Sequence, residues 1–377
     1  MGIGVLKGNV SFTLPALSHA IIYSARLFYC NKPLKNYSMI KPIAKAAILM
    51  VILVVVVIAG WELHLRAAGI ALAYDDGKEL WSDQRAKVYE PNATVFIGSS
   101  RIKYDLDIDT WQKATGRPAV QLAMEGNSPV PILENLAADP RFAGKLVIDV
   151  TEPVFFAPDD APARHEQYEN INYYNDRTPA QRASFILNHA LESQFVFLDQ
   201  GWLSLNAQLA ELPIPSRPGV FMPPDFPLDF QRVSFDRQDR MTPRFLADTS
   251  LQHRVQNIWG MMGQAGAAYA AHHPEDPVPG IIKRVAAAVA KIRSRGGEVV
   301  FVRPPSSGPM RAGELRGFPN ARGWQPLLAA TQCQGIHFED DPATAHLICP
   351  EFSHLSPSDA EGYTRTLIRQ LPRTFVH

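Results

Sequence analysis

Charge of one sign is never in excess in this chain: across 377 residues, 37 Lys and Arg are matched by 37 Asp and Glu. A nucleic-acid binder takes its affinity from clustered positive charge, so the balance argues against that class. Cysteine is scarce, with three residues in all, so at most one intramolecular bridge can form. Internal repeats are missing. The 24 Gly and 31 Pro are scattered, not tandem, which excludes collagen-like and low-complexity chains and points to long irregular connections. Phosphate-loop, dinucleotide and zinc-ligand spacings are also lacking, and His272-His273 stands without the further ligands a metal needs. No cofactor or metal is expected.

One segment departs sharply from this even composition. Ala46 to Trp61 (AAILMVILVVVVIAGW) carries no charged or strongly polar side chain. Extended to Ile43–Leu65, with Lys45, Glu62 and His64 able to reach toward the interfaces, it is long enough as a helix to cross a hydrocarbon core of roughly 30 Å. The run is unbroken, β-branched and not followed by a small-x-small cleavage site, which favours an anchor over a cleaved signal or a core helix. Lys32, Lys35, Lys41 and Lys45 precede it, whereas Asp75, Asp76 and Glu79 follow. The positive-inside rule then places residues 1–42 in the cytoplasm and 67–377 outside, on a single span. Met39 opens a second start, so residues 1–38 read either as a cytoplasmic tail or as an extension upstream of the true start. In this topology Cys30 lies inside, while Cys333 and Cys349 share the exported part. A bridge between those two would close a loop of about 15 residues and contribute about 3 kcal/mol; two separately buried thiols are the alternative.

From Glu90 onward, short apolar runs alternate with helical periods, the pattern of a parallel sheet covered by helices. Strands are expected at Thr94–Ile97, Ala119–Ala123, Leu146–Val150, Glu298–Val302 and Ile336–Glu339. Helices are expected around Trp111, at Pro129–Ala138, Ile281–Arg295 and Gln325–Thr331, and at Ser356–Gln370 with Ser356 as N-cap. Gly296 and Gly297 stop the third of these. Between Phe155 and Pro279 the rhythm lapses into scattered aromatics, Pro-rich pieces and helical stretches, which reads as an inserted lid or cap. Tyr168, Tyr173, Tyr174 and Trp202 within it are either sugar-stacking faces or packing.

Ligands of open parallel sheets bind beyond the carboxyl ends of the strands, so the residues just after each strand carry the chemistry. Gly98-Ser99-Ser100-Arg101 follows the first strand, where a tight turn into a helix presents a hydroxyl and free backbone N–H groups; Ser100 is the candidate nucleophile. Glu351-Phe352-Ser353-His354 lies just before the last helix. An acid three residues before a histidine can hold the imidazole by Nδ1 while Nε2 faces the serine, which makes His354 the candidate base and Glu351 its acid. Arg101 adds positive charge at the same mouth. Arg303, after the fourth strand, is a substrate contact, the organiser of Glu152, or a partner in a structural salt bridge.

An early Gly-x-Ser after strand one, a glycine after strand two and an acid-x-x-His before the last helix together resemble the SGNH (GDSL-like) hydrolase superfamily, particularly its membrane-anchored bacterial branch that includes O-acetyltransferase and acylation proteins of cell-surface polysaccharides. The resemblance covers residues 90–155 and 280–372. It implies a flavodoxin-like, three-layer α/β/α domain with a serine acyl hydrolase or acyltransferase site. Gly126 would donate its N–H to the oxyanion. The sequence departs from the family pattern in three places: Ser99 and Glu351 stand where the family has Asp, and no Asn follows the third strand. Asn127 is the candidate substitute for that missing oxyanion donor. The implied protein is a membrane-tethered esterase or acyltransferase in the bacterial inner membrane with its catalytic part in the periplasm, acting on acyl esters of an envelope or exported polysaccharide. It would work alone or beside other envelope proteins. The competing reading is a non-catalytic scaffold or glycan-binding subunit that has kept the fold.

Overall fold

The unbroken run of Ala46–Trp61 leaves no turn or breaker to interrupt a helix, and the chain forms helix α1 over Ile40–Ala67. A computed structural model describes residues 40–161, 165–212 and 225–376; residues 1–39 of the expected cytoplasmic tail, both possible starts, Cys30 and part of the Pro213–Pro227 piece lie outside the described residues. α1 is long and apolar enough to be a membrane span or a signal sequence, and among the described residues none of its most apolar stretch is buried. Residues 57–377 form one compact unit.

Within that unit, helix α2 (Lys78–Ala86) precedes a strand-helix alternation. Strand β1 (Thr94–Ile97) is followed by α3 (Ser100–Asp105) and α4 (Ile108–Thr115), β2 (Ala119–Gln121) by α5 (Val130–Ala138), and β3 (Lys145–Asp149) by the short α6 (Glu152–Phe155). The segment inserted next holds α7 (His165–Asp176), α8 (Pro179–Glu192), α9 (Gln200–Leu203), α10 (Leu205–Ala210), strands β4 (Gln231–Val233) and β5 (Asp239–Met241), α11 (Pro243–Ala247) and α12 (Thr249–His272). The alternation then resumes with α13 (Val278–Arg293), β6 (Glu298–Arg303), α14 (Gly308–Gly317), α15 (Trp324–Thr331), β7 (Gln334–His337) and α16 (Pro357–Gln370). Ser356 caps α16 as expected, its Oγ accepting from the Asp359 amide at 3.2 Å. Gly296 takes φ +88°, the left-handed conformation that stops the chain after α13.

The five framework strands pair in parallel in the order β2-β1-β3-β6-β7. Successive side chains of a strand point to opposite faces, and both faces here are apolar. Val95, Ile97, Leu146, Ile148, Val299 and Phe301 pack with helices α5, α13 and α15 on one side. Phe96, Val147, Val300 and Val302 pack with α3, α4 and α16 on the other. Burial on both faces explains why these strands read as continuous apolar runs, without an alternating pattern. The chain order reverses between β1 and β3, and the carboxyl ends of those two strands are where ligands of such sheets bind.

Two expectations need correction. Cys333 and Cys349 are free thiols. Strand β7 separates them and carries the chain across the sheet, so Cys333 packs against the α13–α15 side while Cys349 is buried on the α16 side. The insertion, read as helices alone, also contains the antiparallel ribbon β4–β5. Its strands, Gln-Arg-Val and Asp-Arg-Met, are too short and polar to register as apolar runs, because what they and their turn bury is charge: Arg237 and Asp239 are almost fully enclosed. There the Lys103 ammonium of α3 meets Asp76 at 2.5 Å, Glu125 at 2.9 Å and Asp239 at 3.1 Å, and Arg237 pairs with Asp76.

Candidate active site

Strand β1 runs directly into a turn that has no room for a side chain at Gly98. A Cβ there would sit 2.4 Å from Cβ of Asp149, so glycine is obligatory for the close approach of β1 and β3. The Ser99 amide donates to Asp149 Oδ2 at 2.9 Å and its hydroxyl donates to the same oxygen at 2.8 Å. Thr151 donates to Oδ1 of that carboxylate at 3.0 Å. Ser99 Oγ also accepts from the Arg101 amide as N-cap of α3. The turn is therefore bolted to the end of β3, and Ser100 emerges from it partly exposed at the first position of α3. Burial pushes the Asp149 carboxyl above its ordinary value, against the pull of the Ser99 donors and the Arg101 charge.

The far end of the chain supplies the rest. His354 Nε2 lies 2.8 Å from Ser100 Oγ, and His354 Nδ1 lies 2.9 Å from Glu351 Oε1. Glu351 and His354 are both essentially buried. Glu351 accepts further bonds from the His354 amide at 2.6 Å and the Ser353 amide at 3.2 Å. These bonds fix the carboxylate, which in turn sets the imidazole with Nδ1–H toward the acid and the Nε2 lone pair toward the serine. The extra methylene of Glu relative to Asp is accommodated by this local turn.

Residues from outside the sequence motifs complete the base. Tyr104 stacks on the imidazole with ring centroids 4.1 Å apart, and its hydroxyl donates to Gln231 of the ribbon. Trp259 of α12 donates its indole N–H to Glu351 Oε2 at 2.5 Å. Beside it, Gln256 donates to the Pro350 carbonyl at 3.0 Å. The insertion thus takes part in the site. Nothing in the uneven spacing of its aromatics singled out Trp259. Asp149 carried a usable signal, a carboxylate closing an otherwise apolar strand at the crevice.

The structure sorts the remaining predicted residues in three ways. Gly126 sits in a left-handed turn at φ +65°, exposed, next to the nucleophile turn through the Met124 amide's bond to the Gly98 carbonyl at 3.1 Å. Its amide donates to no group among the described residues, and neither does that of Ser100. Both N–H groups are therefore unspent among the described residues. Asn127 does not serve that purpose. Its amide nitrogen donates to the Glu125 carbonyl at 2.7 Å and to Glu166 Oε2 at 2.8 Å, so both donors are spent on holding the Gly126 turn against α7. No side chain after β3 replaces the missing Asn, because Thr151 is tied to Asp149 and Glu152 accepts from Arg303 Nε at 2.7 Å.

Arg101 and Arg303 face carboxylates: Arg303 holds Glu152, as one of its readings had it, and neither reaches the mouth of the site. Both are buried, and both pair with Glu314 of α14; Arg303 additionally donates to the Pro304 carbonyl at 2.6 Å. Burial alone would raise the Glu314 carboxyl, but the Arg101 and Arg303 charges override it and bring it to about 2. The two arginines form a structural network beneath the site. Of the aromatics once open to a sugar-stacking role, Tyr174 packs on the framework core and Trp202 lies under Arg232. His272 and His273 each place Nδ1 on a carbonyl of their own helix. Among the described residues, no group of three or more His, Cys, Asp or Glu could hold a metal. No family model and no curated protein matches the chain.

Proposed function

We propose that the chain is a membrane-tethered serine acyl hydrolase or acyltransferase of the SGNH type, acting on acyl esters, such as acetyl esters, of an envelope or exported polysaccharide. The reading rests on one observation above all, the continuous line Ser100 Oγ, His354 Nε2, His354 Nδ1 and Glu351 at 2.8 and 2.9 Å. In this mechanism the Ser100 hydroxyl proton passes to His354 Nε2 as Oγ bonds to the ester carbonyl carbon. The carbonyl oxygen becomes an oxyanion facing the Ser100 and Gly126 amides. Collapse breaks the ester C–O bond, and the leaving alcohol takes the proton from His354. Water or a second glycan hydroxyl then attacks the acyl-serine, gives its proton to His354, and releases an acid or a new ester. The α1 helix supports an inner-membrane anchor with residues 67–377 in the periplasm, and the anchor favours a substrate made or exported at that membrane.

A second reading, a non-catalytic scaffold of an envelope polysaccharide machine, is favoured by the engagement of Asn127 with Glu166. It leaves two backbone donors for the oxyanion, and loss of one preformed donor can cost about 10²- to 10³-fold in rate. Fluorophosphonate labelling and aryl-acetate turnover of the full-length chain, beside Ser100→Ala and His354→Ala, decide between the two. Hydrolase chemistry predicts labelling of Ser100 and a loss of at least about 10³-fold in both variants. A folded wild-type protein that neither labels nor turns over assigns the chain to the scaffold class.

A further inference from the structure

Helix α8 has no buried residue. One face is occupied: Phe185 and His189 pack with each other, and His189 packs on Tyr74 and Phe235. At 100° per residue the opposite face carries Ala183, Leu187, Ala190 and Leu191, and all four are exposed. Helix α10 repeats the pattern, with Leu205, Leu209 and, just past its end, Leu212 exposed at i, i+4 and i+7; Leu205 is 74% exposed. Single exposed leucines need no explanation, but two apolar stripes in one stretch of chain do.

The segment between these helices identifies what covers them. The Glu62 carboxylate accepts from the Val196 amide and the Phe197 amide, each at 3.1 Å. Arg66, paired with Glu62 at 2.6 Å, donates to the Gln194 carbonyl at 2.6 Å. Glu62 directly follows Trp61, the last residue of the apolar run. In a spanning helix, an aromatic followed by charged residues marks the level of the lipid headgroups. Residues 194–197 are thereby held at that level, and the last turn of α8 runs straight into them through the bond of the Phe195 amide to the Leu191 carbonyl at 3.0 Å. An apolar helix face at headgroup depth is stable when immersed at the acyl boundary.

We infer that α8 and α10 form a second membrane attachment, their apolar faces lying in the interface of the same bilayer that α1 crosses. The inference rests on reading α1 as a span, and the test separates the two. Full-length protein in phospholipid nanodiscs carries a photoreactive benzoylphenylalanine in place of Leu187, Leu205, Val55 or Leu315; the last is an exposed leucine on α14. Lipid adducts are quantified by mass spectrometry after illumination. Adduct yields at 187 and 205 at least about fivefold above that at 315, with strong adducts at 55, are the expected result. Adducts at 55 with 187 and 205 at the level of 315 overturn the second attachment and leave the span standing. Crosslinks from 187 or 205 to another copy of the chain, in place of lipid, also overturn it. Background yield at 55 removes the span and this inference together.

Discussion

The sheet framework and the inserted segment pack by different chemistry. Between the strands and helices of the framework lie two continuous apolar cores, one on each face, and the positions of Ser100 and His354 follow from where β1 ends and α16 begins. Along its seam with α3, the insertion buries Lys103, Asp76, Asp239 and Arg237 beside aromatic rings, and it sends Trp259 and Gln231 to the acid and to the ring that covers the base. Apolar packing is non-directional and sets where elements sit. Buried hydrogen bonds and ion pairs have fixed geometry and set how individual groups are turned. The framework therefore places the nucleophile and base, and the insertion trims the acid and the imidazole.

This contrast can be broken at its most charged point. Lys103→Met removes the cation of Glu125 and Asp239 and leaves Arg237 as the remaining partner of Asp76, and unpairing a buried charge costs about 3–5 kcal/mol; chemical denaturation should show a loss of that size. A loss below about 1 kcal/mol would mean that the seam contributes little to holding the insertion down. Smaller is the acid response of the same cluster. Burial would raise Asp76, but Arg237 and Lys103 bring its carboxyl from 3.8 to about 2. A depressed carboxylate stabilises the fold above its unfolded pKa, and that contribution fades as pH falls through the folded value. The stability gap between wild type and Asp76→Asn should therefore shrink by on the order of 2 kcal/mol from about pH 5 to about pH 2, as read by urea titrations at each pH.

At the site the expected effects are kinetic. Trp259→Phe keeps the ring and deletes the bond to Glu351; kcat for an aryl acetate should fall about tenfold with the melting temperature nearly unchanged, the size of one hydrogen bond to a charged group. A drop as large as that of His354→Ala would place the insertion on a par with the framework. The smallest effect belongs to Asn127→Ala. With its donors directed at Glu125 and Glu166, the substitution should cost about 1 kcal/mol of stability and less than about threefold in kcat, whereas an oxyanion donor would cost 10²-fold or more.

The same division explains what could be read from the sequence. Strands β1, β3 and β6 lie within one residue of their expected bounds because an apolar run flanked by turn residues has few other folds open to it. Ser100, His354 and Glu351 were legible because each lies next to a strand or helix end that the pattern located. Trp259 and Tyr104 were not, since their roles arise from contacts across more than 90 residues of chain, and Glu314 was not, because one of the two arginines it joins lies 213 residues away. Arg101 misled, and the readings of Arg303 stayed open, for a related reason: an arginine after a strand looks the same in sequence whether it faces substrate or a buried Glu314. Asn127 lies in the expected turn, one residue from Gly126, yet its side chain is claimed by Glu166, 39 residues further on.

Ser100 and His354 are 254 residues apart in the chain, and that separation has a consequence for timing. During synthesis the nucleophile turn, β1, β2 and β3 are available long before residues 351–354 exist. A nascent or truncated chain ending short of Pro350 therefore holds a serine with no base and no acid, and cannot attack an ester. Under the proposed acyl chemistry, residues 351–354 act as an arming step, and reactivity requires that they have been made and folded against Ser100.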